Sequence, residues 1–270
     1  MLTVPDDLIF RSTNSQTGRR VAVTPDNSAN RHLSYARIIL NSETKSVTFT
    51  NLGQETGLIV LSGSAAVTAA GHTADLKQYD AVYIPRDAQI SVTTKTAVDI
   101  AEFSAATSSE NPFQIVRYEE ISKDSSLKFT AGVPGQQRVV NIVLGKNVEA
   151  NRLLVGFTVS DPGNWTSWPP HEHGKMLEEM YVYFDMPDPA FGIQLVYNDT
   201  RYPELVTVVR DGDAILMPSG YHPNVSCPGH RISFLWAMAA HREKEDRQFG
   251  VVNVQPDFAT STTGLEASRK

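Results

Sequence analysis

Short runs of β-branched, aromatic and aliphatic residues recur along the chain, with Gly, Pro, Asn and Asp between them. Apolar residues spaced three and four positions apart, as in an amphipathic helix, are scarce. Many short strands at close spacing predict an all-β sandwich or barrel. The predicted strands are residues 35–40, 46–50, 56–62, 65–69, 81–84, 89–93, 98–103, 139–144, 153–160, 180–184, 193–197, 205–209, 214–217 and 231–238.

The two halves of this pattern share one segment that aligns without a gap. Residues 80–92 begin Asp-Ala-Val-Tyr-Ile-Pro, and residues 213–225 begin Asp-Ala-Ile-Leu-Met-Pro. Gln89 then stands where the second segment has His222, and Gln54-Glu55 is the only echo of a later Glu-Glu pair. A single segment can match by chance, but the similar strand pattern on both sides favours a duplicated barrel whose first copy lacks metal ligands.

A stretch of small and polar residues, 104–112, separates the halves and ends in Asn-Pro, which is typical of a linker. We therefore predict a first domain over residues 1–108 and a second over residues 109–258. Residues 259–270 are rich in Thr and Ser with little to bury, and we expect a loose tail there.

Composition excludes several classes of function. The 270 residues are 41% hydrophobic and 20% charged, as in a soluble globular protein, and the net charge of −6 argues against a general nucleic-acid partner. The single cysteine, Cys227, rules out an intrachain disulfide and fits a reducing compartment. We see no signal peptide and no membrane span, and we expect a cytoplasmic homo-oligomer that acts on a small molecule.

Two blocks of the second half offer candidate metal ligands. His171 and His173 are two residues apart, so both imidazoles point to the same side of an extended strand. Glu178 and Glu179 follow a short loop, and a regular strand would aim only one of them at the ion. An isolated His-x-His is more often a polar loop, but His222, after a Pro-Ser-Gly bend, favours a shared site. Three imidazoles and a carboxylate suit Zn, Mn, Fe, Co or Ni.

These motifs carry a resemblance to a known family. The blocks Trp168-Pro-Pro-His-Glu-His173, Leu-Glu-Glu-Met-Tyr-Val-Tyr183 and Pro218-Ser-Gly-Tyr-His-Pro223 resemble those of the 5-deoxy-glucuronate isomerases of inositol breakdown. Phe184-Asp-Met186 resembles the related 4-deoxy-L-threo-5-hexosulose-uronate ketol-isomerases of pectin breakdown, and both groups belong to the cupins. The loop after His173 is shorter here than in the inositol-pathway enzymes, which leaves the substrate open.

The resemblance implies a bicupin of two jelly-roll barrels, that is, two double-stranded β-helices. It implies metal ligation by His171, His173, Glu179 and His222, because cupins usually use the glutamate directly before the apolar strand. The expected metal is divalent, with Zn first. The implied activity is an aldose–ketose isomerase that converts 5-deoxy-D-glucuronate to 5-dehydro-2-deoxy-D-gluconate.

Three further residues are candidates for catalysis. Arg138 matches an Arg-x-Val-x-Asn-Ile pattern of the inositol-pathway enzymes and is expected to bind the substrate carboxylate. The alternative is that this lone arginine on a strand is only a surface charge. Lys175 and Tyr221 flank the ligand blocks and are expected to move hydroxyl protons. The pectin-pathway ketol-isomerase, a sugar-acid-binding cupin without catalysis and an iron dioxygenase remain alternatives, because one fold hosts all of them.

Overall fold

The computed structural model describes residues 7–260, whose regular secondary structure is nearly all strand; within them one helix, α1 (Tyr118–Ile121), and one 3-10 turn, Pro256–Phe258, are assigned. The all-β prediction is confirmed. The strands are β1 (Ile9–Phe10), β2 (Gly18–Val23), β3 (Leu33–Leu40), β4 (Ser46–Thr50), β5 (Gln54–Ala69), β6 (His72–Lys77), β7 (Ala81–Ile84), β8 (Gln89–Thr93), β9 (Val98–Ala106), β10 (Gln114–Val116), β11 (Lys128–Ala131), β12 (Arg138–Leu144), β13 (Leu153–Ser160), β14 (Trp165–Thr166), β15 (His171–Glu172), β16 (Leu177–Tyr183), β17 (Gly192–Val196), β18 (Leu205–Val209), β19 (Ala214–Met217), β20 (Asn224–Ser226), β21 (Ser233–Ala240) and β22 (Asn253–Val254).

The strands form two large sheets and two small ones. One large sheet has the order β1-β19-β16-β21-β13-β12-β11. The other has the order β10-β7-β5-β9-β3-β2, with β8 and β6 also paired to β5, and β4 paired to β8. The small sheets are β14-β20-β17-β18 and β15-β22. Each sheet is open at its edges among residues 7–260, and no helix in that range is long and apolar enough to cross a membrane.

The two halves of the chain exchange edge strands. β1, near the start, pairs antiparallel with β19 of the second half, and Arg11 just after it binds Asp213 at 2.6 Å. In return β10, which follows the predicted linker, pairs with β7 of the first half. The predicted linker itself begins inside β9, which runs to Ala106. Of the predicted tail, residues 261–270 lie outside the described residues, and the domain boundaries stay a prediction.

Two buried glutamates join the halves reciprocally. Glu178 accepts hydrogen bonds from the backbone N–H groups of Arg31, His32 and Leu33 at 2.8, 2.8 and 2.6 Å. In the other direction, the backbone N–H groups of residues 151, 152 and 153 donate to Glu55 at 2.8, 2.6 and 2.9 Å. A carboxylate that accepts several backbone donors is stabilised in its charged form even when buried. Each half therefore supplies the hydrogen-bond acceptor for buried backbone N–H groups of the other half.

Strand register makes these glutamates equivalent. Glu55 lies opposite Ala105, which lies opposite Leu33. In the second half Glu178 lies opposite Ala239, which in turn lies opposite Leu153. The sequence comparison aligned Gln54-Glu55 with Glu178-Glu179. The strand register instead aligns Glu55 with Glu178, a shift of one residue.

A hydrophobic core continuous between the halves supports this arrangement. Residues of the first half such as Tyr35 and Phe103 cluster with Leu144 and Leu153 of the second half, and all are almost fully buried. A separate core fills the interior of the first half, around Leu58 and Ile90. Neighbouring residues of β5 alternate between the two cores, with Ile59 and Leu61 in the shared core and Leu58 and Val60 in the other, so this sheet is buried on both faces.

Candidate metal centre

Three polypeptide segments bring the candidate ligands together. β15 and the residue after it carry His171 and His173, β16 carries Glu179, and the bend after β19 carries His222. Gly220, at φ +93°, adopts the left-handed conformation that lets the chain turn before His222. A side chain at Gly174 would come within 3.1 Å of the Pro218 carbonyl oxygen, so this glycine lets the two histidine-bearing loops pack together.

His173, Glu179 and His222 form a compact buried cluster. Their nearest ligand atoms all lie within 4.8 Å of one another. His173 Nε2 is 2.8 Å from Glu179 Oε2, and His222 Nε2 is 3.0 Å from the same oxygen. Each of the three side chains is at most 5% exposed. Imidazole nitrogens and a carboxylate oxygen converging on one point are the donor set of Zn²⁺ and similar ions.

Backbone carbonyl groups orient all three histidines. The Nδ1 atom lies 2.9 Å from Pro169 O in His171, 3.2 Å from Leu177 O in His173 and 2.9 Å from Gly220 O in His222. A carbonyl oxygen can only accept, so each Nδ1 carries a proton, and in the neutral ring Nε2 presents a lone pair. Metal-binding histidines are held in this way, with the other ring nitrogen donating to a carbonyl or carboxylate.

One buried atom tests whether an ion fits. His222 Nε2 has no hydrogen-bond partner, although it lies 3.0 Å from the Glu179 carboxylate. With the proton on Nδ1, its lone pair faces an anionic oxygen, which is unfavourable without a positive charge between them. A cation at this point would satisfy both groups. The residues present therefore fit a divalent metal.

His171 stands at the edge of the cluster rather than inside it. It is half-buried, and its ring centroid lies 5.1 Å from that of His222 and 6.3 Å from that of His173. Burial, followed by the charge of His222, lowers its pKa to about 3. The imidazole is therefore neutral at physiological pH, the form that binds metals.

The electrostatic interaction between Glu179 and His173 sets the protonation of both residues. Burial would raise the pKa of Glu179, but the charge and the hydrogen bond of His173 outweigh it and lower that pKa to about 2. Burial would lower the pKa of His173, but the Glu179 carboxylate outweighs it and raises that pKa. Without an ion, His173 thus keeps its second proton to higher pH than an ordinary histidine.

Metal affinity should consequently depend on pH. An incoming ion must displace the proton on His173, because only the neutral imidazole is a ligand. We expect the apparent affinity for Zn²⁺ to fall as the pH decreases from about 8 to about 6, the range in which histidine titrates. Calorimetry in two buffers of different ionisation enthalpy would measure the released proton. Binding without proton release at pH 6 would contradict this assignment.

A cavity with an open mouth adjoins the cluster. His171, His173 and Glu179 lie on its wall together with Arg138. Its floor is one face of the large sheet that contains β12, β13, β16 and β21, and residues 249–252 cover it. β22 follows this cover and pairs with β15, so the cover is fastened to the strand that carries His171.

Arg138 lies at the cavity wall but is engaged with the backbone. It is 4% exposed, and its Nη1 and Nη2 donate to Gln136 O at 3.1 Å and to Trp168 O at 2.9 Å. Trp168 leads directly into the His171 segment, so the guanidinium also holds the ligand loop. In the sheet, β21 and β13 lie between β16, which carries Glu179, and β12, which carries Arg138.

The structure does not bring the other two catalytic candidates to this cavity. Lys175 is exposed, and Tyr221 pairs with Tyr197 through the backbone, with ring centroids 5.7 Å apart; neither lies on the cavity wall. Their proposed roles stay predictions. Tyr181 and Ser167 also lie on the wall and are not among the catalytic candidates from the sequence. The alternation of β16 was the available indication, because Tyr181 is two residues after Glu179 and shares its face.

A family model matches this chain over residues 8–255, under the description KduI/IolB family. The chain belongs to the KduI/IolB family. Family members named 5-deoxy-glucuronate isomerase include one from Bacillus licheniformis, 28% identical over 71% of this chain and 75% of its own length. Another, from Geobacillus thermodenitrificans, is 26% identical over 86% of this chain and 89% of its own. The predictions of family membership and of an isomerase are confirmed.

Solved structures agree with membership of the KduI/IolB family. An IolB-like protein from Salmonella typhimurium has a TM-score of 0.83 and 25% identity, over 94% of this chain and 98% of its own. Oxalate decarboxylase from Bacillus subtilis has a TM-score of 0.61 and 14% identity, over 86% of this chain and 76% of its own. At that identity the second likeness shows the fold alone, which is of the cupin type.

Proposed function

We propose that this KduI/IolB family chain isomerises a deoxy-uronic acid, and that its substrate is 5-deoxy-D-glucuronate, which it converts to 5-dehydro-2-deoxy-D-gluconate in inositol breakdown. The observation that carries the proposal is a single cavity with two recognition points. The His-Glu cluster lies on one part of its wall and a buried arginine on another. A uronic acid has the matching pair of groups, an aldehyde beside a hydroxyl at one end and a carboxylate at the other. The names of the relatives support this substrate.

The cluster would hold one divalent ion, and we propose Zn²⁺, with Mn, Fe, Ni or Co able to use the same donors. His173, Glu179 and His222 would be three of its ligands. We propose His171 as the fourth because its neutral imidazole lines the same cavity. When bound, the ion supplies Lewis-acid polarisation of the substrate carbonyl and of the adjacent hydroxyl oxygen.

The reaction moves hydrogen between neighbouring carbons. A base removes the proton from C2, the electron pair forms a C1=C2 bond, and the aldehyde oxygen takes the negative charge. Protonation of the C1 oxygen and of C1, with loss of the C2 hydroxyl proton, then gives the ketone beside a C1 hydroxyl group. Lys175 and Tyr221 remain proposed carriers of the hydroxyl protons. A substrate bound against the buried wall would displace water, which would strengthen the charge interactions made with the developing oxyanion.

We also propose that the chain is a bicupin of two jelly-roll barrels, the first without a metal. The register supports equivalence of the halves, because Thr56 lies opposite Ile84 as Glu179 lies opposite Met217. Thr56, in place of the carboxylate ligand, is bonded to the neutral Ser104 hydroxyl at 3.0 Å. A homo-oligomeric state and a cytoplasmic location stay predictions.

The test of function is a direct assay. The purified protein, loaded with each divalent metal in turn, should convert 5-deoxy-glucuronate faster than 4-deoxy-L-threo-5-hexosulose uronate, measured side by side by NMR. Preference for the second compound would reassign the substrate within the same reaction class. Conversion of neither with any metal would overturn the proposal.

Arg138 provides a further test, through the substrate carboxylate. A charge-assisted contact in a partly dry cavity contributes about 1.5–3 kcal/mol, so Arg138→Ala should lower kcat/KM by about one to two powers of ten. Lysine at this position should restore the charge without the planar fork and give partial rescue. Arg231→Ala, at an exposed arginine, is the matched control.

Metal content separates the two roles of Arg138. We expect it to be unchanged in Arg138→Ala, because this residue is not a ligand. If the metal is lost, the guanidinium acts mainly by holding the Trp168 backbone. If activity is unchanged, the carboxylate binds elsewhere.

A further inference from the structure

The cavity wall contains a buried hydroxyl pair for which neither the ligand cluster nor Arg138 accounts. Tyr181 Oη lies 2.7 Å from Ser167 Oγ, and either atom can be the donor. Both side chains lie on the wall of the cavity that contains His173 and Glu179. Tyr181 is 3% exposed, so its side chain is almost completely shielded from bulk solvent.

Packing fixes the tyrosine ring in place. It meets Phe234 with ring centroids 4.3 Å apart and lies edge-on to His222 at 5.8 Å. On β16 it is two residues from Glu179, so both side chains leave the same face of the sheet. The hydroxyl is therefore held beside the cluster without being part of it.

Ser167 is positioned by an unusual backbone. Its φ is +50°, in the left-handed region that a residue other than glycine rarely adopts and that costs of order 1 kcal/mol or more. The strand pair β14-β20 ends immediately before it, and Arg138 holds the next carbonyl, Trp168 O. Backbone in this conformation is found where the surrounding structure enforces it, commonly at ligand sites.

We propose that the Tyr181 hydroxyl donates a hydrogen bond to the substrate oxygen that becomes negatively charged during isomerisation, with Ser167 as the residue that positions it. Ser167 then donates to Tyr181 Oη, which leaves the phenolic hydrogen for the substrate. This inference rests on the proposed isomerase function and deepens it, because it assigns a donor on the protein side of the oxyanion. Tyr181 is the catalytic residue here, and Ser167 acts through it.

The chemistry favours a neutral donor at this point. In the step that forms the C1=C2 bond, the aldehyde oxygen gains the electron pair and the full negative charge. A preorganised hydrogen bond in a site with little water stabilises that charge more than it stabilises the neutral aldehyde. Tyr181 consequently affects kcat more than KM, which is the signature of an interaction made chiefly in the transition state.

The experiment compares two tyrosines of matched chemistry. Tyr35 is also buried, and its hydroxyl lies 3.0 Å from Thr13 Oγ1, but it belongs to the first half and does not line the cavity. We expect Tyr181→Phe to lower kcat by about 100-fold with little change in KM, since one oxyanion donor contributes about that factor. Tyr35→Phe should keep the kcat of the parent. Both variants should keep the metal and the fold, checked by metal analysis and thermal unfolding.

A double mutant tests the positioning role of Ser167. Ser167→Ala should lower kcat by about tenfold, and Tyr181→Phe combined with Ser167→Ala should be no slower than Tyr181→Phe alone, because the serine acts only through the tyrosine. Effects that multiply would overturn the role given to Ser167.

Binding of a stable mimic gives a readout that does not require turnover. Threonohydroxamate resembles the enediolate, and its affinity for the metal-loaded protein should fall about 10- to 100-fold in Tyr181→Phe and stay unchanged in Tyr35→Phe. Equal affinity in all three proteins, or equal kcat, would overturn the proposal for Tyr181. If the parent converts neither sugar acid, the proposed function fails, while the hydroxamate measurement still decides whether Tyr181 contacts a bound oxyanion.

Discussion

A His222→Ala variant should lose most of its metal and nearly all of its activity. The remaining donors cannot replace the missing bond, so we expect the affinity for Zn²⁺ to fall by about 100-fold or more. Turnover should fall about a thousandfold, because the ion contributes several kcal/mol to stabilisation of the developing charge. The measurement is metal per chain after dialysis, together with kcat.

The control for this variant comes from the other half of the chain. Gln89 occupies the aligned position in the first copy but is exposed on β8, away from any cluster. Gln89→Ala should therefore keep both metal and activity. Full metal occupancy in His222→Ala would remove His222 from the ligand set and leave its unpartnered Nε2 without an explanation.

The two neighbouring glutamates should respond in opposite ways to the same change. Glu179→Gln should weaken metal binding and leave the fold stable, since its carboxylate faces the cluster. Glu178→Gln should keep the metal but lower the free energy of unfolding by about 2–4 kcal/mol, because the new amide NH₂ would face backbone donors that now bind a carboxylate. Chemical denaturation and metal analysis of both variants provide the measurements.

Glu55→Gln is the matched control for the stability effect. It alters the equivalent carboxylate of the first half, which accepts the backbone donors of residues 151–153. We expect a similar loss of unfolding free energy and no loss of metal. If Glu178→Gln releases the metal while Glu179→Gln retains it, the ligand assignment moves by one residue.

Local strand structure was largely readable from the sequence. Ser46–Thr50, Ala81–Ile84, Leu153–Ser160 and Ala214–Met217 have the predicted bounds, because each is a β-branched or apolar run between turn residues. β2 and β6 were missed, since Gly18–Val23 opens with glycine and two arginines, and four of the six residues of His72–Lys77 are polar. The two predicted strands 56–62 and 65–69 are one long strand, because Gly63 interrupts the apolar pattern but not the pairing.

Contacts between distant segments were beyond sequence reasoning. The alternation along β16 separates Glu178 from Glu179, but nothing local shows that Glu178 faces the backbone of residues 31–33. Spacing placed His171 and His173 on one side of a strand, whereas the offset of His171 from the compact cluster depends on how its loop packs. The nearness of Lys175 and Tyr221 in sequence to the histidines did not translate into a place on the cavity wall.

The segment over the cavity has a consequence for the order in which the site is completed during synthesis. Residues 249–254 follow both sheets in the chain, and they supply the cover of the cavity and the β22 partner of β15. Every candidate ligand and every strand of the cavity floor therefore precede the cover in the chain, so the cover is the last part of the site to be synthesised.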